Sequence, residues 1–187
     1  MTVVIERILS RQSCPKLKAP APDREEIHKV LQCAMKAPDH ARLKPWRFVV
    51  ITGSARDRLG ELFVDIKSAE LGELSESQLE KFRSKPLRAP MIIVAIADVK
   101  PHPKVPPIEQ VMAVSCAVQN MQLALDSLGY GAMWRTGGLA FHPRVEAYFG
   151  LKPEDQIVGF LYVGTPEAYG KPPATQQVSE TTEFWGE

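Results

Sequence analysis

A chain of 187 residues, 44% hydrophobic and 24% charged, has the length and mixture of one globular core, since domains run to roughly 150 residues. Its 23 basic and 22 acidic side chains leave a formal charge of +1, so no global field draws it to nucleic acid or to an anionic membrane. Three scattered cysteines (Cys14, Cys33, Cys116) without CxxC or metal-ligand spacing argue against a disulfide framework and point to a reducing cytoplasm.

The opening MTVVIERILSRQ lacks the apolar core of a signal peptide, and its residues Val3–Ser10 read as a short helix. No apolar run approaches the roughly 20 residues of a membrane span. KLKAPAP (16–22), KPHPKVPP (100–107) and GKPPA (170–174) read as loops or extended connectors, because proline cannot donate to a ladder. Asp23, followed three residues later by Glu26, marks a helix start with a capping box. The helix carries Ile27, Val30, Leu31 and Ala34 on one face and should stop at Ala37, before Pro38.

WRFVVIT (46–52) reads as a strand, Gly53–Ser54 as a turn, and Ser54 as the cap of a helix through Leu59, Leu62, Phe63 and Ile66. An amphipathic helix over Glu76–Ser84 and a two-side-covered strand over Ala89–Ala97 follow. The segment Ile108–Leu128 reads as a long helix whose apolar residues, among them Val111, Met112, Val114, Cys116, Val118, Met121, Leu123 and Leu125, go most of the way round. A helix of that kind is buried on nearly every side, in a domain core or partly in a subunit interface. A short strand within Gly129–Trp134, a short helix over Pro143–Phe149 and a strand over Ile157–Val163 complete a single domain, with 165–187 as an extended C-terminal arm.

Three clusters could carry chemistry. Arg11-Gln12-Ser13 offers a guanidinium fork and a hydroxyl suited to phosphate, or a solvated helix end. The run from Lys36 through Asp39, His40, Arg42 and Lys44 to Trp46 sets four basic or potentially basic groups against one carboxylate. It can stabilise an anionic group, or complement a helix C-terminus. Trp134-Arg135-Thr136-Gly137-Gly138 places donors beside an aromatic ring and a flexible turn, which suits a flat phosphorylated cofactor as well as a tight core turn. TGS (52–54) lacks the glycine spacing of a phosphate loop, and His28, His40, His102 and His142 show no metal spacing. Cys14, among basic neighbours, could have a lowered pKa and a redox role, or be an unreactive thiol.

Taken together, SRQSCPKL, MKAPDHARLKPWRFVVI, RAPMIIVAIA, WRTGGL and DQIVGFLYVGTP resemble the nitroreductase family of FMN-dependent oxidoreductases over almost the whole chain. The resemblance implies an α+β sandwich, a mainly antiparallel sheet flanked by helices, with the long central helix at a dimer interface. It implies a homodimer with FMN at the seam. Arg11, Gln12, Ser13, Trp134, Arg135, Thr136 and Gly137 would come from one subunit, and Lys36 and His40 from its partner. The C-terminal arms would be exchanged. It further implies a ping-pong transfer of hydride from NADH or NADPH through the flavin to a nitroaromatic, quinone or similar acceptor, with no side chain acting as acid or base. Other flavin-dependent outcomes share the scaffold: a dehydrogenase, flavin fragmentation, or non-catalytic flavin-binding redox sensing. The family often has a second basic residue where Gln12 stands, and Asn and Gln where Arg42 and Lys44 stand, so the substrate mouth here is more basic.

Overall fold

The computed structural model describes residues 2–169 and 176–186. Eleven elements are named here in chain order: α1 (Val3–Ser10), β1 (Lys16–Lys18), α2 (Arg24–Ala34), β2 (Trp46–Thr52), α3 (Ser54–Leu71), α4 (Glu76–Arg83), β3 (Met91–Ala97), α5 (Pro107–Ser127), β4 (Gly131–Arg135), α6 (Pro143–Tyr148) and β5 (Gln156–Ala168). Short 3₁₀ turns lie at His40–Arg42, Lys85–Arg88 and Val178–Glu180. The sheet is antiparallel in every pairing, in the order β1-β5-β3-β2, with β4 also paired to β5.

The strand β3 explains the layering. All seven of its residues are buried, because the sheet is covered on both faces. Side chains alternate along a strand, so Met91, Ile93, Ala95 and Ala97 enter one core with α2 and α5, while Ile92, Val94 and Ile96 enter the other with α3 and α6. This is the expected α+β sandwich. No helix among the described residues is long and apolar enough to cross a membrane.

The capping box of α2 forms as its sequence predicts. The Asp23 carboxylate accepts from the amides of Glu25 and Glu26, and the Glu26 carboxylate accepts from the Asp23 amide at 3.0 Å. α2 ends at Ala34 rather than Ala37. The chain tightens there through Lys36 N–H to Cys33 O and Ala37 N–H to Ala34 O, leaving Lys36 exposed on a turn.

Other expectations are corrected. Ser54 does not cap α3: the N-cap is Gly53, at φ 53°, and the Ser54 hydroxyl accepts from Arg58 instead. Lys16–Lys18, read as a connector, forms the edge strand β1, because β5 runs on past Val163 to Ala168 and offers Thr165–Ala168 as a partner. The proline-bearing stretch 170–174 lies outside the described residues.

Candidate functional site

The first cluster follows α1 and is held against β4. Cys14 N–H donates to Ala132 O at 2.9 Å, which fixes the register of the Arg11–Ser13 loop beside that strand. Arg11 is half-buried, and its guanidinium points to Gln122 Oε1, 3.5 Å away on α5. α1 itself is tied down by the Arg7–Asp126 ion pair at 3.0 Å. The Cys14 thiol is fully buried and hydrogen-bonds toward Lys16 O; burial pushes its pKa up. Loss of solvation outweighs the Lys16 carbonyl contact, so the thiol is not activated.

β4 divides the third cluster. Trp134 lies on the α5 face of the sheet, its indole Nε1 donating to Val158 O at 3.2 Å. The indole sits so close to β5 that a Cβ on Gly159 would be 2.1 Å from Nε1, so glycine there makes room for the ring. Arg135 points to the opposite face, its guanidinium 5.6 Å from the Tyr162 ring centroid. Thr136, Gly137 (φ 104°) and Gly138 then form an exposed turn at the strand's end.

The second cluster follows α2 and reaches the start of α5 through His40. Asp39 organises it: its carboxylate accepts from Leu43 N–H at 3.1 Å and Lys44 N–H at 2.8 Å. Those bonds hold a backbone in which Ala41 (φ 61°), Arg42 (φ 56°) and Lys44 (φ 50°) all adopt the left-handed region. Each such non-glycine residue costs on the order of 1 kcal/mol or more. His40 Nδ1 meets Glu109 Oε2 at 2.6 Å, in the first turn of α5. Beside this pair lies a shallow hollow lined by Pro38, Met112, Ala113 and Cys116.

Within one chain, therefore, the Arg11–Ser13 loop is tied to β4 through Cys14 and Ala132, while His40 stands well apart from Arg11. The contacts at Gln122 and Glu109 are 13 residues apart on α5 (122 − 109), roughly 20 Å at 1.5 Å per residue. The surface beside them is apolar: Val3, Val4, Ile8 and Leu9 of α1, Met35, and Ile108 and Met112 of α5 are exposed. A groove of about 280 Å³ runs between α1 and α5. Burial on α5 is one-sided: Ala113, Val114, Ala117, Val118, Met121 and Leu125 enter the core, with buried Gln110 clamping Lys100 through both its amide groups. A contiguous uncovered apolar surface of this kind is uncommon on a monomer.

The third cluster, Trp134–Gly138, borders a cleft of about 470 Å³ on the α3 side of the sheet, whose other lining residues sequence reading missed. It is lined by Lys67, Lys85, Arg88 and Arg135, and by aromatic residues including Phe63 and Tyr162. These cations are scattered along the chain, and only the sheet topology gathers them. Among the described residues no cluster of His, Cys, Asp or Glu is suited to a metal ion.

A two-face-covered antiparallel sheet beside a long, half-exposed helix, with Arg11 held near one end of that helix and His40 near the other, defines an α+β sandwich class. The profile of the Nitroreductase family matches residues 8–165, most of the chain, and the chain belongs to that family. It is 39% identical over 163 residues to the Escherichia coli protein named "Putative NAD(P)H nitroreductase YdjA", spanning 87% of this chain and 88% of that one. It is 32% identical over 160 residues to a Haemophilus influenzae protein named "Putative NAD(P)H nitroreductase", spanning 84% and 85%. The fold is that of a nitroreductase-like protein from Bacillus cereus (TM-score 0.83, 24% identity, 100% and 98% coverage). It is also that of a nitroreductase with bound FMN from Bacteroides fragilis (TM-score 0.74, 23% identity, 98% and 100% coverage).

Proposed function

We propose that the protein is an FMN-dependent oxidoreductase that works as a cytoplasmic homodimer, passing electrons from NADH or NADPH to nitroaromatic, quinone or similar small organic acceptors. The observation that carries this reading is the division of the site. Arg11 and His40 stand at opposite ends of α5, and the surface between them is apolar and open, so a twofold partner would bring one chain's Arg11 to the other's His40. The names of the relatives, and FMN in a solved neighbour, point the same way.

The donor set fits a flat, phosphorylated cofactor. Arg11 and Ser13 would take the phosphate and ribityl chain, with Gln12 contributing a neutral amide where a cation would bind more strongly. Trp134 would flank the ring, and the Thr136–Gly137 turn would present its amides to the ring edge. Arg135 would contribute its backbone there, since its side chain faces the other side of the sheet. Lys36 and His40 of the partner would supply positive charge where the reduced ring becomes anionic, which favours reduction. When bound, FMN supplies the two-electron chemistry in two alternating half-reactions, and no side chain need act as acid or base. The chain forms one unit, and the arm following β5 would lie across the partner.

The test is an absorption spectrum of the purified protein before and after NADPH, with its mass in solution. The reading expects a flavin spectrum that bleaches with NADPH and returns when a quinone is added, from a dimer. A monomer that stays colourless with added FMN would end it.

A further inference from the structure

We propose that the cleft on the α3 side of the sheet is a binding subsite for a small aromatic anion, a ring bearing a carboxylate or phosphate. As a substrate-class assignment this rests on the function proposed above, since the cleft's rim is the Thr136–Gly138 turn that the proposed flavin site also uses.

Four cations converge on the cleft: Lys67 from α3, Lys85 and Arg88 from the turn before β3, and Arg135 from β4. None of its described lining residues is acidic. Lys67 has a carboxylate partner, Glu70, at 2.5 Å. Lys85, Arg88 and Arg135 have no ion pair among the described residues; Lys85 rests over the Phe82 ring and Arg135 over Tyr162. Arg135 Nε is moreover buried with no hydrogen-bond partner among the described residues. Like charges crowd here as well: burial, then Arg88, Lys67 and Lys81, depress the Lys85 pKa. Such a cluster is held together against its own repulsion, and an anion relieves it.

The rest of the lining selects shape. Phe63, Phe160, Tyr162, Met133 and Leu139 give an apolar, largely aromatic floor, and the volume of about 470 Å³ falls within the range of small-ligand pockets. A bare inorganic ion would leave that floor uncovered. A flat ring with one anionic group covers it and reaches the cations.

The experiment compares 4-nitrobenzoate with nitrobenzene, and NADPH with NADH, on the wild-type dimer and on the Lys67→Gln/Lys85→Gln and Lys85→Arg variants. Calorimetric titration at low salt should show 4-nitrobenzoate binding that weakens by about tenfold or more in the double-glutamine variant and with added salt, and survives in Lys85→Arg. In alternating half-reactions, kcat/KM for each substrate reads its own half. A drop in the 4-nitrobenzoate to nitrobenzene ratio assigns the cleft to the acceptor. A drop in the NADPH to NADH ratio assigns it to the donor's extra phosphate. Titration without saturable 4-nitrobenzoate binding, or equal affinity in wild type and double variant, overturns the proposal. So does loss of bound flavin from the double variant, which would make the cleft part of the flavin pocket. If the protein never takes up flavin, the function proposed above fails, and the titration still decides the cleft.

Discussion

His40 Nδ1 sits 2.6 Å from Glu109 Oε2, joining the loop after α2 to the first turn of α5. With the carboxylate as acceptor, the imidazole donates through Nδ1. For the function proposed above, Glu109 would be a positioning residue for this imidazole. Both side chains are substantially exposed, so the pair is worth little to stability. Glu109→Gln should raise the FMN dissociation constant by about two- to fivefold, with almost no change in melting temperature. Flavin titration of the refolded apoprotein checks it. Unaltered affinity would detach His40 from the flavin site.

Gly159→Ala tests the seat of Trp134. The new methyl would lie 2.1 Å from the indole Nε1, in a strand whose neighbours on β3 are fully buried. Either the ring leaves or the strand shifts. The cost should be about 1–3 kcal/mol in denaturant unfolding, with weaker flavin retention and a changed tryptophan fluorescence. A variant as stable as wild type, with the same emission, would show that Trp134 has another comfortable rotamer.

The left-handed loop predicts a stabilising substitution. Ala41, at φ 61°, gains nothing from its methyl group and is exposed. Ala41→Gly should raise stability by up to about 1 kcal/mol, although glycine usually costs stability through chain entropy. Asp39→Ala should do the reverse by about 1–2 kcal/mol, since the amides of Leu43 and Lys44 lose their acceptor. Thermal melts of the two variants read both signs. A destabilised Ala41→Gly would mean that the loop relaxes out of this conformation in solution.

Much of this architecture is legible in the residues, and the exceptions have physical reasons. Asp23 with Glu26, and the apolar run of β3, are local signals strong enough to place their elements. β1 is not local: Lys16–Lys18 becomes a strand only because β5 supplies Thr165–Ala168. The three site clusters could be found by residue type, yet their division across α5 depends on how helices pack. Trp134 and Arg135 both line the larger cleft, although period-two alternation in the strand sends their side chains to opposite faces of the sheet. The basic cleft was only half legible: Trp134–Gly138 form a sequence cluster, but Lys67, Lys85 and Arg88 share no spacing with it and meet it only through the sheet.

The junction of β3 and β5 carries a pH prediction. Asp98, just past β3, receives the ammonium groups of Lys100 and Lys152, the latter at 2.8 Å, and they hold its carboxyl below the ordinary aspartate range. Next to it, buried Asp155 accepts from the amides of Val99 and Lys152, so the charge cluster pins the entry to β5. Because the folded pKa is the lower one, the unfolded chain takes the proton first as pH falls. The contribution is whole above the unfolded value of about 3.9, and drains away as pH drops through the folded value. Both lysines are well exposed, which limits it to about 0.5–1 kcal/mol. Asp98→Asn should therefore be less stable than wild type at about pH 6, with the gap narrowing as the pH falls below the unfolded value of about 3.9. Urea midpoints of the two proteins across that pH range measure the gap. A difference that stays constant or widens in acid would show that the two ammonium groups do not stabilise the Asp98 carboxylate in the folded protein.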